Sequence, residues 1–451
     1  SPELQPWNPG HDQDHHVHIG QGKTLLLTSS ATVYSIHISE GGKLVIKDHD
    51  EPIVLRTRHI LIDNGGELHA GSALCPFQGN FTIILYGRAD EGIQPDPYYG
   101  LKYIGVGKGG ALELHGQKKL SWTFLNKTLH PGGTILNLED NVQSWKPGDT
   151  LVIASTDYSM YQAEEFQVLP CRSCAPNQVK VAGKPMYLHI GEEIDGVDMR
   201  AEVGLLSRNI IVMGEMEDKC YPYRNHICNF FDFDTFGGHI KFALGFKAAH
   251  LEGTELKHMG QQLVGQYPIH FHLAGDVDER GGYDPPTYIR DLSIHHTFSR
   301  CVTVHGSNGL LIKDVVGYNS LGHCFFTEDG PEERNTFDHC LGLLVKSGTL
   351  LPSDRDSKMC KMITEDSYPG YIPKPRQDCN AVSTFWMANP NNNLINCAAA
   401  GSEETGFWFI FHHVPTGPSV GMYSPGYSEH IPLGKFYNNR AHSNYRAGMI
   451  I

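Results

Sequence analysis

The stretch YPIHFHLAGD, Tyr267 to Asp276, places His270 and His272 at alternate positions of a strand-like pattern. Side chains alternate between the two faces of a strand, so both imidazoles leave this segment on the same side. Two related stretches follow, CVTVH from Cys301 and CFFTE from Cys324, and their matching positions hold His305 and Glu328. Imidazole nitrogen and carboxylate oxygen are borderline donors suited to Zn²⁺-like ions, and a set of two histidines and one carboxylate leaves coordination positions open. His272, His305 and Glu328 are therefore candidate metal ligands. Closely stacked titratable groups also perturb one another's pKa values, which makes Glu328 and His270 candidate acid or base groups. Acid–base work often pairs two carboxyl groups, and Asp329 and Asp276 are candidates for the second. Glu328 and Asp329 are adjacent, so they face opposite ways unless the strand ends there. The competing reading is a polar ladder that merely faces water.

These residues share a column only if successive segments stack. The repeat reads PIHFH at Pro268, CVTVH at Cys301, CFFTE at Cys324, TFWMA at Thr384, GFWFI at Gly406 and AGMII at Ala447. Short strands at a step of about two dozen residues, with Asn, Gly or His at the corners, are the signature of a right-handed parallel β-helix. Ile269, Phe271, Val302, Val304, Phe325 and Thr327 should then point inward. Two outward rows result. One is His270, Thr303, Phe326, Trp386, Trp408 and Met449; the other is His272, His305, Glu328, Ala388, Ile410 and Ile451. Trp386 and Trp408 continue the face as candidate stacking surfaces for sugar rings. Arg280, Arg300 and Lys346 are the nearest cations for a carboxylated sugar. The loop acids Asp276, Asp278, Glu279 and Asp284 could offer oxygens to Ca²⁺, although no EF-hand spacing is present.

The N-terminal part carries GGKLVI at Gly41, GGELHAG at Gly65 and GGALELHG at Gly109. Paired glycines fit corners that need positive φ and close backbone approach. The expected fold class is all-β, with residues 1–133 a glycine-rich β domain, 134–235 a β-rich connecting region continuing into the helix, and 236–451 the parallel β-helix.

Composition agrees. Of the 451 residues, 49 are Gly and 26 Pro, and only 19% are charged, a mix that favours short strands and tight turns over long helices. The formal charge of −14 argues against a general nucleic-acid or anionic-membrane surface. No apolar run is long enough to span a membrane, and these residues are not expected to include a signal peptide. The abrupt ends suggest a piece of something larger. Eleven cysteines form an odd set. Cys171 with Cys174, Cys220 with Cys228, and Cys360 with Cys379 are expected disulfides. Sequons at Asn80 and Asn126 add to an extracellular reading.

The strings WNPGHDQDHHVHIGQGKTLLL, GVGKGGALELHGQKKLSWTFL, QYPIHFHLAGD and SRCVTVHGSNGLLIKD resemble the cell-migration-inducing hyaluronidase family, nearest its membrane-anchored member. The first half resembles the G8 domain, and the second the β-helix repeats that accompany it. This resemblance implies the cell-surface, extracellular part of a type II membrane protein that binds or depolymerises hyaluronan with calcium dependence. The transmembrane segment through which such a protein meets a membrane is absent from this chain. At His130 the chain runs HPGG directly into TILNLED, where the family carries a further module, the GG domain. Three activities are consistent with these features: endo-hydrolysis of hyaluronan, elimination by a uronate lyase, or binding as a matrix scaffold with a structural metal.

Overall fold

In the computed structural model, residues 4–223, 226–227, 231–348 and 382–451 are described. One parallel sheet of 28 strands among them winds from Gln5–Trp7 to Ala447–Ile450. The two halves of the chain share it. Tyr103–Val106 pairs in parallel with His239–Ala243, and Ala111–His115 with Ala248–Lys257. The glycine-rich segment is therefore the first part of the same solenoid.

The connecting region differs from the expected continuation of the helix. After His115 the chain leaves the solenoid and builds a six-stranded sheet of antiparallel pairs between Trp122 and Leu205; it returns at Ile210–Gly214, paired with Phe81–Leu85. This side sheet has its own core of Leu125, Leu136, Leu151, Val203 and neighbours. It docks on the β-helix through Trp122, Val152 and Leu206 against Val316, Tyr318 and Leu341. Trp122 Nε1 donates to the His339 carbonyl at 2.8 Å.

The vertical register comes from the inward apolar row. Ile269, Phe271, Val302, Val304, Phe325, Phe385 and Phe407 are all in the main core. Phe242 stacks on Phe271 at 4.5 Å, Phe325 on Phe385 at 4.7 Å and Phe385 on Phe407 at 4.8 Å. These distances match the spacing between strands, so each ring sits on the ring of the next coil. One corner is a ladder of short polar residues at positive φ: Asp291, Asp314, His339, Asn396 and Asn438, between 52° and 56°. Asp and Asn tolerate that region because their side chains bond locally. At the glycine corners the close approach is visible at Gly66, where a Cβ would lie 1.9 Å from the Ile38 carbonyl oxygen of the preceding coil.

Cys171 and Cys174 are joined, as expected from their spacing. Cys220 is disulfide-bonded, but its expected partner Cys228 lies outside the described residues, as do Cys360 and Cys379. A further disulfide joins Cys301 to Cys324 across one coil, 23 residues apart, the same step that separates Val302 from Phe325.

Because the aromatic stack sets the register, Phe385→Ala is expected to lower the unfolding free energy by about 3–5 kcal/mol in urea titrations. Leu74→Ala, at a position 98% exposed, should change it by about 0.5 kcal/mol or less.

Candidate metal centre

The strand Ile269–Asp276 carries His270 and His272, and its register sets His272 beside His305. The next coil's strand, Phe325–Thr327, stops one residue short of Glu328. The Glu328 amide still donates to the Val304 carbonyl at 3.1 Å, which holds Glu328 opposite His305. The expected column exists, and Asp329 is free to turn because the strand has ended.

Four donor atoms converge. His272 Nδ1 lies 3.1 Å from His305 Nδ1, which lies 3.4 Å from Glu328 Oε2. Glu328 Oε2 is 3.9 Å from His270 Nε2. One ring nitrogen from each of His270, His272 and His305 falls within a 4.8 Å cluster. Around a tetrahedral ion with bonds of about 2.0–2.2 Å, ligand atoms stand roughly 3.3–3.6 Å apart. The His305–Glu328 separation falls in that range, the His270–Glu328 separation of 3.9 Å is somewhat longer, and His270 stands beside the expected set as a fourth candidate donor.

Two of these atoms, His270 Nε2 and Glu328 Oε2, are buried without a hydrogen-bond partner among the described residues. Buried polar atoms are ordinarily satisfied, so two orphan acceptors facing one point are what a bound cation would complete. The opposite side of three of the four candidate donors is held. His270 Nδ1–H donates to the Gly265 carbonyl at 3.0 Å, which leaves Nε2 with its lone pair toward Glu328. His305 Nε2–H donates to Asp329 Oδ2 at 2.5 Å, which leaves Nδ1 facing the cluster. The Tyr267 hydroxyl donates to Glu328 Oε1 at 3.3 Å. Metal-binding histidines are characteristically oriented in this way by a carbonyl or carboxylate on the far nitrogen.

Asp329 receives further bonds from Thr416 Oγ1 at 3.1 Å and Ser419 Oγ at 2.8 Å, both in the segment after the last tryptophan strand. Glu332 clamps the turn, accepting from the amides of Gly306, Asp329 and Gly330. On the other side, Lys241 Nζ donates to the Tyr98 carbonyl at 2.7 Å. The Tyr98 ring, 44% exposed, meets His272 edge-on at 5.6 Å. His272 is the partly exposed ligand, so the cluster opens at His272 and Tyr98.

The electrostatics follow from burial. Burial pushes the Glu328 carboxyl up to about 7, with the His305 charge partly opposing it. Burial would lower His305, but the Asp329 hydrogen bond and the Glu328 and Asp329 charges raise it to about 9. His272 falls to about 3 through burial and the nearby His305 charge, and His270 is lowered well below its usual range for the same reasons. Burial opposes ionisation of Asp329, yet the His305 bond and charge hold its carboxyl below the usual range. Without an ion, the His305 proton is the positive charge that binds the two carboxylates together.

Other expected site residues stand elsewhere. Trp386 and Trp408 are buried with Phe326 in a small apolar cluster, so neither is an open platform for a sugar ring. Their outward row is covered rather than solvated; the His323 ring lies 4.4 Å from Trp386. Arg300 is 2% exposed, its guanidinium over Tyr267 and Phe326; it supports the wall of the site and cannot reach a substrate in open groove. Arg280 is exposed on the turn Glu279–Gly281. Asp276 and Asp278 bind Arg334 at 2.7 and 2.6 Å, which ties up the proposed second carboxylate and two of the loop acids considered for calcium. In the last coil the register is shifted by one: Trp408 pairs with Ile450, because Thr405, not Gly406, stands opposite Ala447. Asn80 and Asn126 are both exposed. Sequence reasoning missed Tyr267, Tyr98, Lys241, Glu332, Thr416 and Ser419. Only Glu332 left a trace, in the acidic run TEDGPEE.

Residues 235–449 match the family model described as CEMIP beta-helix, and residues 5–126 match the G8 domain. The chain is 64% identical over 700 residues to the human cell migration-inducing and hyaluronan-binding protein, covering 100% of this chain and 51% of that protein. It is 43% identical over 618 residues to the human cell surface hyaluronidase CEMIP2, covering 100% of this chain and 44% of that protein. Identity is thus higher to the first than to the second. Human fibrocystin-L is 33% identical over 468 residues, 96% of this chain and 10% of that protein. The chain spans about half the length of the first two relatives. The 700 aligned residues exceed the 451 of the chain, so the relative carries internal residues that are absent here.

In chelator-treated protein, the His305–Asp329 pair has a defined pH window. His305 is raised, so its contribution is complete below the unfolded value of about 6.5. That contribution is lost as pH climbs through about 9. Asp329 is lowered, so its contribution holds above about 3.9 and is lost as pH falls through its folded value. Asp329→Asn should therefore destabilise most between about pH 4 and 6.5, with the difference shrinking through about pH 9. Denaturant midpoints of both proteins across pH measure this; a pH-independent difference would contradict it.

Proposed function

We propose that this chain, which belongs to the CEMIP family, binds hyaluronan at the cell surface or outside the cell and depolymerises it by hydrolysis at the His270–His272–His305–Glu328 cluster. The observation that carries the site is the grouping of four donor side chains, two with buried orphan atoms and three, His270, His305 and Glu328, braced from behind. The relatives' names, a hyaluronan-binding protein and a cell surface hyaluronidase, supply the substrate class.

His270, His272, His305 and Glu328 would hold a divalent ion. Three imidazoles and one carboxylate suit zinc or a similar transition ion better than calcium, which prefers six to eight oxygens. Bound there, the ion would supply Lewis-acid polarisation and a more acidic water. The chain's own groups do the positioning. Asp329, fixed by Thr416 and Ser419, keeps the His305 proton on Nε2 and its Nδ1 toward the cluster. Tyr267 fixes Glu328, and the Gly265 carbonyl fixes His270. Tyr98 offers an exposed ring beside His272, in the role first assigned to the buried tryptophans. Lys241 puts a cation beside that ring, favourable for a uronate carboxylate.

Elemental analysis after zinc dialysis should find about one ion per chain, and His270→Ala and His305→Ala should each lower zinc affinity by about tenfold to a hundredfold or more. Size-exclusion chromatography of high-molecular-weight hyaluronan should show shortening that a chelator stops and zinc restores. Glu328→Gln should slow it by at least about a hundredfold. Near-ultraviolet absorbance from an unsaturated uronate would assign the cut to elimination instead. Binding without shortening would leave the chain a hyaluronan scaffold.

A further inference from the structure

Upstream of the cluster, on the same face of the solenoid, lies a second hollow of about 240 Å³. Its wall includes Tyr34, Arg58, Tyr86, Arg88, Lys102 and Tyr103. The ladder that forms it runs straight to the proposed centre. His59 stacks on Tyr103 at 4.9 Å; Tyr103 pairs with His239; and two residues further along these strands Lys241 pairs with His270. From the His59 coil to the His270 coil is three steps of about 4.8 Å, roughly 14 Å along the stack. One segment serves both places. Residues 93–96 and 100–103 wall the hollow, while Tyr98 between them touches His272.

Three cations line it: Arg58, Arg88 and Lys102. Arg88 is held by both oxygens of Asp90 at 2.8 and 2.7 Å and by Glu217 at 3.4 Å, and the one carboxylate in the wall itself, Asp96, already accepts from the amides of Tyr98 and Tyr99. Arg58 lies between aromatic faces, 5.2 Å from the Tyr34 centroid and 4.8 Å from that of Tyr86. Its Nη1 pairs with Glu91 at 2.5 Å, but its Nε is buried without a hydrogen-bond partner among the described residues. Gly87 makes room for this guanidinium: a Cβ there would sit 3.0 Å from Arg58 Nη1. Lys102 Nζ is held by the carbonyls of Glu215 and Phe236, so its charge has no carboxylate partner within hydrogen-bond reach among those contacts.

We propose that this hollow is a remote subsite for a carboxylate-bearing sugar of a polyanionic chain whose other end lies at the His270–Glu328 cluster. The inference rests on the hyaluronan reading of that cluster. A guanidinium with an orphaned Nε presents a side-on fork to a carboxylate, and flanking tyrosines present faces to pyranose rings. A subsite three coils away binds only oligomers long enough to span the distance, so it sets chain-length preference and affinity without touching the reacting bond.

The test compares the full chain with Arg58→Ala, Arg88→Ala and Arg58→Lys, by calorimetric titration with hyaluronan oligosaccharides from tetrasaccharide to dodecasaccharide. Zinc uptake and thermal midpoint, read in parallel, establish that each variant is folded with its cluster intact. Arg58→Ala and Arg88→Ala are each expected to weaken long-oligomer binding by about tenfold. The tetrasaccharide should bind all forms equally, and Arg58→Lys should recover part of the loss. In turnover, KM for long chains should rise with kcat unchanged. Equal affinity of Arg58→Ala, Arg88→Ala and the parent for long oligomers overturns the subsite and leaves the proposed function standing. If the parent itself neither binds nor shortens hyaluronan, the proposed function fails and the subsite falls with it.

Discussion

The structure depends on vertical register. Each coil must place its inward apolar residues on those of the coil below, and the backbone ladder then fixes everything else at the strand spacing. The stacked phenylalanines from Phe242 to Phe407 enforce this, because a slip of one residue would turn rings outward and polar groups inward. The proposed centre is a by-product of that rigidity. His272, His305 and Glu328 are distant in sequence, yet they meet because they occupy the same place in three consecutive coils.

Rigidity alone would leave the polar column in water. Coverage makes it a site. The segment around Tyr98 comes from the first half of the chain, the turn at Gly265 precedes the histidine strand, and the segment with Thr416 and Ser419 follows the last tryptophan strand. Together they remove solvent from His270 and Glu328 while leaving His272 partly open. Desolvation then drives the histidines toward neutrality and the Glu328 carboxyl toward protonation. An ion would reverse the penalty on Glu328, since cation and carboxylate then neutralise each other.

The periodic part of this architecture was legible in the primary structure. The inward row, the His272–His305–Glu328 column and the glycine corners follow from alternation and a recurrent step, and residues 5–126 and 235–449 match the G8 and CEMIP beta-helix families that the long strings resemble. The Cys301–Cys324 bond was written in the same step, since both cysteines open their repeats, but spacing alone could not distinguish a disulfide from two core thiols such as the free Cys340 and Cys397. What misled was the assumption that outward means exposed. Trp386, Trp408 and Arg300 point out of the coil and are nonetheless buried, because neighbouring segments close over them. Asp276 looked available until Arg334, 58 residues away, was brought to it.

The sequence by itself determined which residues share a column, because strand periodicity and coil length are local properties of the chain. Only the tertiary structure decided which parts of each column meet solvent, which nitrogens of His270 and His305 face inward, and that His270 lies beside the column. Those outcomes depend on the Gly265 carbonyl, Asp329 and Tyr267, and on loops whose landing places are set by packing between distant segments, for which no sequence period exists.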